Sequence, residues 1–201
     1  RSRFECMSSG QAVLSVPAAS PPADEVITIT DKRVGRNEVQ VIYPIFTTDP
    51  AELASIYFLA EILGGGFDTP LLQELREKRG WAYGASCAVE RFPGLSFFAA
   101  QLVVAPEQFL QSQAIFLEVL ERLDLEYVQE KMRALQLGRR SQFDRALNVT
   151  YGMPKQLYFY GRPISHHEEE AMADAITLAE VIRWRDYLLG QKPLVLEFRL
   201  P

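Results

Sequence analysis

Apolar and polar residues alternate at the start of the structured part of this chain, and the period then lengthens to that of a helix. Residues 25–31, Glu-Val-Ile-Thr-Ile-Thr-Asp, are β-branched and alternating, which predicts a strand. A second strand is predicted over 37–46, where Val39, Val41, Tyr43 and Ile45 would share one face. At Asp49 the pattern changes. Asp49 can cap, Pro50 suits the first helical position, Glu52 gives a box-like start, and Leu53, Ile56, Tyr57, Ala60 and Leu63 follow at helical spacing. Gly64 stands where a left-handed C-terminal cap is expected.

Thr69-Pro70 repeats the start signal for a shorter helix through about Lys78, stopped by Gly80. Residues 83–91 and 95–104 form a predicted hairpin around Pro93-Gly94. From Pro106 to about Arg145 the spacing is helical, with a break near Asp124, and a further helical stretch covers Thr150–Tyr160. Thr177 with Glu180 forms a capping box for a helix ending at Gly190, and residues 193–200 close as a strand. Paired strands with interspersed helices define an α+β class with an antiparallel or mixed sheet. The Pro- and Ala-rich segment at 17–23 ends a linker, residues 1–23, and a single domain is expected over 24–201.

Composition narrows the function classes only slightly. The chain has 201 residues, 48% hydrophobic and 23% charged, with 26 acidic against 21 basic side chains. A net charge of −5 argues against nucleic acid or an anionic membrane as the main partner. No apolar run approaches the roughly 20 residues that span a bilayer. Two cysteines, Cys6 and Cys87, could pair but make no disulfide framework.

Residues 61–85, Glu-Ile-Leu-Gly-Gly-Gly-Phe-Asp-Thr-Pro-Leu-Leu-Gln-Glu-Leu-Arg-Glu-Lys-Arg-Gly-Trp-Ala-Tyr-Gly-Ala, hold the candidate chemistry. As a phosphate loop, Gly64, Gly65 and Gly66 lack a following lysine, and Asp68 puts a carboxylate where an anion would sit. As a metal site, the only histidines, His166 and His167, are adjacent, so on a helix they point about 100° apart and cannot share one ion. No cysteine has a local histidine partner and no Gly-x-Ser-x-Gly elbow occurs, so no catalytic residue is expected within this chain. Arg76 and Tyr83 remain. Across a helix-turn-strand corner they could present a guanidinium fork and a phenol to a peptide carbonyl, or form a surface arginine beside a half-buried sheet-edge tyrosine.

The same stretch resembles the second-half domain of the pitrilysin/insulinase family of zinc metallopeptidases, which includes the mitochondrial processing peptidases. The matching pattern is Leu-Gly-Gly-Gly, a short loop, Leu-Arg-Glu-Lys, Gly, an apolar residue and a Tyr-Gly pair. The likeness runs from about 25 to 201, through the Asp31–Phe46 strand pair, the Phe92–Gln108 hairpin and the Leu125–Gly138 helix. The resemblance implies a metal-free domain that faces a similar, zinc-bearing domain, in the same chain or in a partner subunit. That other domain would carry His-x-x-Glu-His. It also implies that Arg76 and Tyr83 contact peptide near the scissile carbonyl and that a hydrophobic or mixed face docks the other domain. Gly64–Gly66 would be a flexible hinge leading into the corner. Relatives with this fold also serve as scaffolds in respiratory assemblies, and exported bacterial relatives point to the periplasm. Asp68, Pro70 and Arg79 depart from the family's usual small polar, basic, and acidic or neutral residues.

Overall fold

In a computed structural model, the chain is described over residues 26–47, 49–92, 95–142, 156–157 and 162–201. Five strands form one mixed sheet: β1 (Val26–Thr30), β2 (Glu38–Ile45), β3 (Gly84–Phe92), β4 (Leu95–Val103) and β5 (Leu194–Arg199). Their order across the sheet is β1-β5-β2-β4-β3. Only the β1–β5 pairing is parallel; β5–β2, β2–β4 and β4–β3 are antiparallel. The expected hairpin is therefore present as β3–β4, while its Pro93-Gly94 tip lies outside the described residues.

The alternation in β2 does what its period requires. Val39, Val41, Tyr43 and Ile45 are buried, and their register partners Leu102, Ala100 and Phe98 on β4 are buried with them. Against this face pack α1 (Pro50–Gly64), α3 (Phe109–Glu121), α4 (Leu125–Gln142) and α6 (Leu178–Gly190), whose apolar residues join the same core. A shorter α5 (His166–Ala175) precedes α6. The predicted helix over 150–160 falls largely outside the described residues.

Caps hold two of the helix starts where the sequence put them. Asp49 accepts from the Ala51 N–H at 3.1 Å, and Thr177 with Glu180 forms the reciprocal box. Glu52 does not complete a box at α1. Its carboxylate instead accepts from the Thr47 side chain and, at 2.9 Å, from Arg183 of α6, so it also helps to dock two helices. Beside it, the Trp184 indole donates to Ser55 Oγ at 2.9 Å, and Tyr187 donates to the Pro44 carbonyl at 2.8 Å. These bonds satisfy polar groups that packing of α6 would otherwise strand.

The alternate side chains of β2, namely Gln40, Ile42 and Pro44, together with Phe97 and Ala99 of β4 and Leu196 and Phe198 of β5, are only half-buried. Glu38 is the exception on this face, being buried. One face of the sheet is thus core and the other is a mixed, partly exposed surface.

Candidate functional site

The corner begins with a short α-helical turn, α2 (Pro70–Leu72), that runs on as a π-helical turn over Gln73–Lys78. Leu71, Leu72 and Leu75 are buried and hold this segment to the core. Thr69 occupies the N-cap position, but its hydroxyl donates backward to the Gly66 carbonyl at 2.9 Å. Reversal of the chain falls to Gly80, the one positive φ (68°) among the described residues. A side chain there would pay the left-handed penalty, which glycine avoids. The left-handed stop expected at Gly64 is therefore found at Gly80.

After the reversal the chain is stitched back. Trp81 N–H and Ala82 N–H both donate to the Leu75 carbonyl, at 2.9 and 3.2 Å, and Tyr83 N–H donates to the Val103 carbonyl of β4 at 2.9 Å. Arg76 follows Leu75 and Tyr83 follows Ala82, so these bonds bring the backbones beside the two residues together. The side chains do not turn inward. Tyr83 is 89% exposed, and the Arg76 side chain is 49% exposed with only a loose contact to Glu77, 3.8 Å from its Nε. Tyr83 is thus not the half-buried sheet-edge aromatic that the sequence left open. It is an exposed ring on an anchored backbone, and its hydroxyl has no hydrogen-bond partner among the described residues.

The neighbouring charges are spent differently. Glu74 pairs with Lys78 at 2.7 Å and with Arg79, and the Lys78 and then the Arg79 hydrogen bonds hold its carboxyl below the usual range. Arg79 also lies over the Trp81 ring, 5.8 Å from its centroid. Arg79, a departure from the family's pattern, is thereby a brace for the corner.

The three glycines do different work. Gly64 is the last residue of α1 and is buried; a Cβ there would collide with the Cys87 backbone nitrogen and lie 2.8 Å from the Ser86 carbonyl carbon. It is glycine because helix and strand touch there. Cys87 is buried at that contact, and desolvation, then the nearby Glu61 charge, pushes its thiol pKa up. Gly65 is the C-cap in an ordinary right-handed conformation, φ −80°. Beyond Gly66, Phe67 is 85% exposed, while Asp68 forms an ion pair with Lys131 of α4. Tyr127 lies beneath that lysine, 5.5 Å from ring centroid to Nζ. The Lys131 hydrogen bond holds the Asp68 carboxyl below its ordinary range. A cavity of about 210 Å³ remains between this loop and α4, lined by Gly65, Gly66, Asp68 and Lys131 among others.

His167 is exposed, with Nδ1 3.5 Å from Glu170. Among the described residues no group of three histidine, cysteine or carboxylate side chains could hold a metal ion, and no helix is long and apolar enough to cross a membrane. Sequence reasoning missed Lys131 and Tyr127 as partners of the glycine loop. They lie about sixty positions away, and only their shared face on a helix could have hinted at them.

Helices on one face of a mixed five-stranded sheet make this an α+β domain, in which a glycine-ended helix leads to an exposed Arg–Tyr corner. The model of the peptidase M16 inactive domain matches residues 9–134. This chain belongs to that family. Comparison with curated protein sequences yields no match. Among solved structures, the peptidase M16 inactive domain from Pseudomonas fluorescens is similar at 22% identity and TM-score 0.64, covering 88% of this chain and 43% of that one. A protease from Helicobacter pylori is similar at 15% identity and TM-score 0.69, covering 87% and 43%. A chain of complex III2 from Candida albicans is similar at 12% identity and TM-score 0.66, covering 85% and 44%. The chain thus spans less than half the length of these structures, and at such identities they speak for the fold alone.

Proposed function

We propose that this domain is the non-catalytic half of a zinc metalloendopeptidase, enclosing a peptide and orienting it against a zinc site held by a second, similar domain. The observation that carries the reading is the presentation of Tyr83: an aromatic 89% exposed, on a backbone bonded to β4, with Arg76 on the π-helical turn tied to the residue before it. A large side chain held out so far gains nothing for this domain's own core. Held still, however, it can meet a ligand without losing backbone entropy on binding.

In this reading Arg76 grips a carbonyl or carboxylate of the bound peptide through its donor fork. Tyr83 donates its single O–H to the carbonyl oxygen as that oxygen gains charge during attack. Zinc in the other domain would supply the Lewis acid and the activated water; this domain supplies the Arg76 fork and the Tyr83 donor. The mixed outer face of the sheet at its β2–β4 end, with Ile42, Phe97 and Ala99 half-exposed, is the surface offered to the other half, which leaves the β1–β5 end open.

The test uses the complete peptidase, with both halves present. Arg76→Ala should raise KM and lower kcat on a short peptide, because the fork holds substrate before and during reaction. Unchanged kinetics in a well-folded variant would remove Arg76 from the site. The second reading, a scaffold without peptidase work, is favoured by the likeness to a complex III chain. It predicts that Arg76→Ala leaves assembly intact and that no associated zinc half cleaves peptide.

A further inference from the structure

The outer face of the sheet carries one feature that the corner does not use. Glu38 is 7% exposed on a face that is otherwise half-open. A buried carboxylate is costly unless its oxygens are satisfied. Here Oε1 accepts from Gln40 Nε2 at 2.6 Å and from Gln101 Nε2 at 2.7 Å, and Oε2 accepts from Arg36 Nε at 3.1 Å. The network could end as a stitch between β2 and β4, but the Arg36 bond goes further. It uses Nε alone, and the two terminal nitrogens of a side chain that is 58% exposed have no partner among the described residues.

Nearby Arg33 is spent, since its Nε and Nη2 both donate to Asp31. Arg36 is therefore the arginine that is aimed by a buried partner yet unspent at its tip. It stands over a groove of about 700 Å³ whose apolar lining is Ile29, Val34 and Phe198, with Phe198 the register partner of both Ile29 and Glu38. The charged lining of the groove is balanced, Arg33 and Arg36 against Asp31 and Glu38, and both carboxylates are already paired with those arginines.

We propose that this groove is a carboxylate-binding subsite that takes the free C-terminus of a peptide whose last side chain is apolar. The terminal nitrogens of Arg36 would hold the carboxylate, and Ile29 and Phe198 would cover the final side chain. A C-terminal residue bears both groups on one carbon, which suits a fork and an apolar patch lining the same groove. The inference does not depend on the roles of Arg76 and Tyr83, which lie on other elements.

Backbone amide NMR of the 201-residue chain, titrated with a short peptide ending in Leu-Phe, tests it. The expected result is a saturable response at Arg36, Gln40 and Phe198 with the free acid. Binding should weaken about tenfold or more for the C-terminal amide and for Arg36→Gln, as loss of a charge-assisted fork implies. Arg36 is on an exposed loop, and the variant's spectrum reports its fold directly. No response up to about 10 mM peptide, weaker than any useful subsite, overturns the proposal. So does equal binding of acid and amide. An amidated peptide with an internal glutamate that binds as tightly as the free acid overturns the C-terminal assignment.

Discussion

Two neighbouring stretches, Gly64–Thr69 and Arg76–Tyr83, invite the same description as loops at the rim of a domain, yet they are built in opposite ways. In the first, the glycine that ends α1 is pressed against β3, and Asp68 is tied to Lys131 of α4. In the second, the backbone is tied and the side chains are released: three amide hydrogen bonds fix the turn, while Arg76 and Tyr83 stay outside. Glycine means contact in one place and reversal in the other. A glycine-rich motif cannot be translated into flexibility without knowing what each Cα touches.

The contrast can be broken by substitution. Gly64→Ala should have the largest effect, a loss of about 1–3 kcal/mol by chemical denaturation, because the new Cβ overpacks against strand backbone that cannot swing away. An unaffected midpoint would mean that the contact is not tight. Gly80→Ala should cost about 1–2 kcal/mol, since nothing lies within 4 Å of its Cβ position and only the left-handed backbone penalty acts. If Gly80→Ala proves the more damaging of the two, the roles assigned here are reversed.

Asp68→Asn should cost less, about 0.2–1 kcal/mol, because the Asp68–Lys131 pair is largely in water. The sign of its pH dependence follows from the lowered carboxyl. The contribution is present above the ordinary aspartate pKa and is lost as pH falls through the lowered folded value. Raising pH from 5 to 8 should leave it unchanged, and denaturation midpoints of wild type and Asp68→Asn across acid pH should converge. A gap that persists at low pH would show that the pairing is not electrostatic. Smallest of all, Tyr83→Phe should change stability by under about 0.5 kcal/mol, as befits an exposed hydroxyl without a partner among the described residues.

Much of the fold could be read before any coordinates because its signals are local. The period-two run in β2, the Asp49-Pro50 start of α1 and the Thr177–Glu180 box each sit within a few residues of what they control. Strand order could not be read, since pairing β1 in parallel with β5 joins Val26 to Val195 across nearly the whole chain. For the same reason Glu52 looked like half of a capping box, because one of its two partners, Arg183, lies far along the chain. At the candidate site, Arg76 and Tyr83 were legible as a motif. Neither the π-helical turn that carries Arg76 nor the exposure of Tyr83 could be read, because both depend on how Leu75 and Val103 are placed.

The proposed role of this domain is tested most directly at the Tyr83 hydroxyl, in a protein that carries both halves. If it donates to the carbonyl oxygen only as charge develops, Tyr83→Phe lowers kcat by about 10²–10³, the usual effect of one lost oxyanion donor, with KM nearly unchanged. Steady-state kinetics on a short peptide, with circular dichroism to check the fold, reads both quantities. A folded Tyr83→Phe enzyme that turns over at the wild-type rate would contradict the account and leave Tyr83 as an exposed aromatic with no part in the reaction.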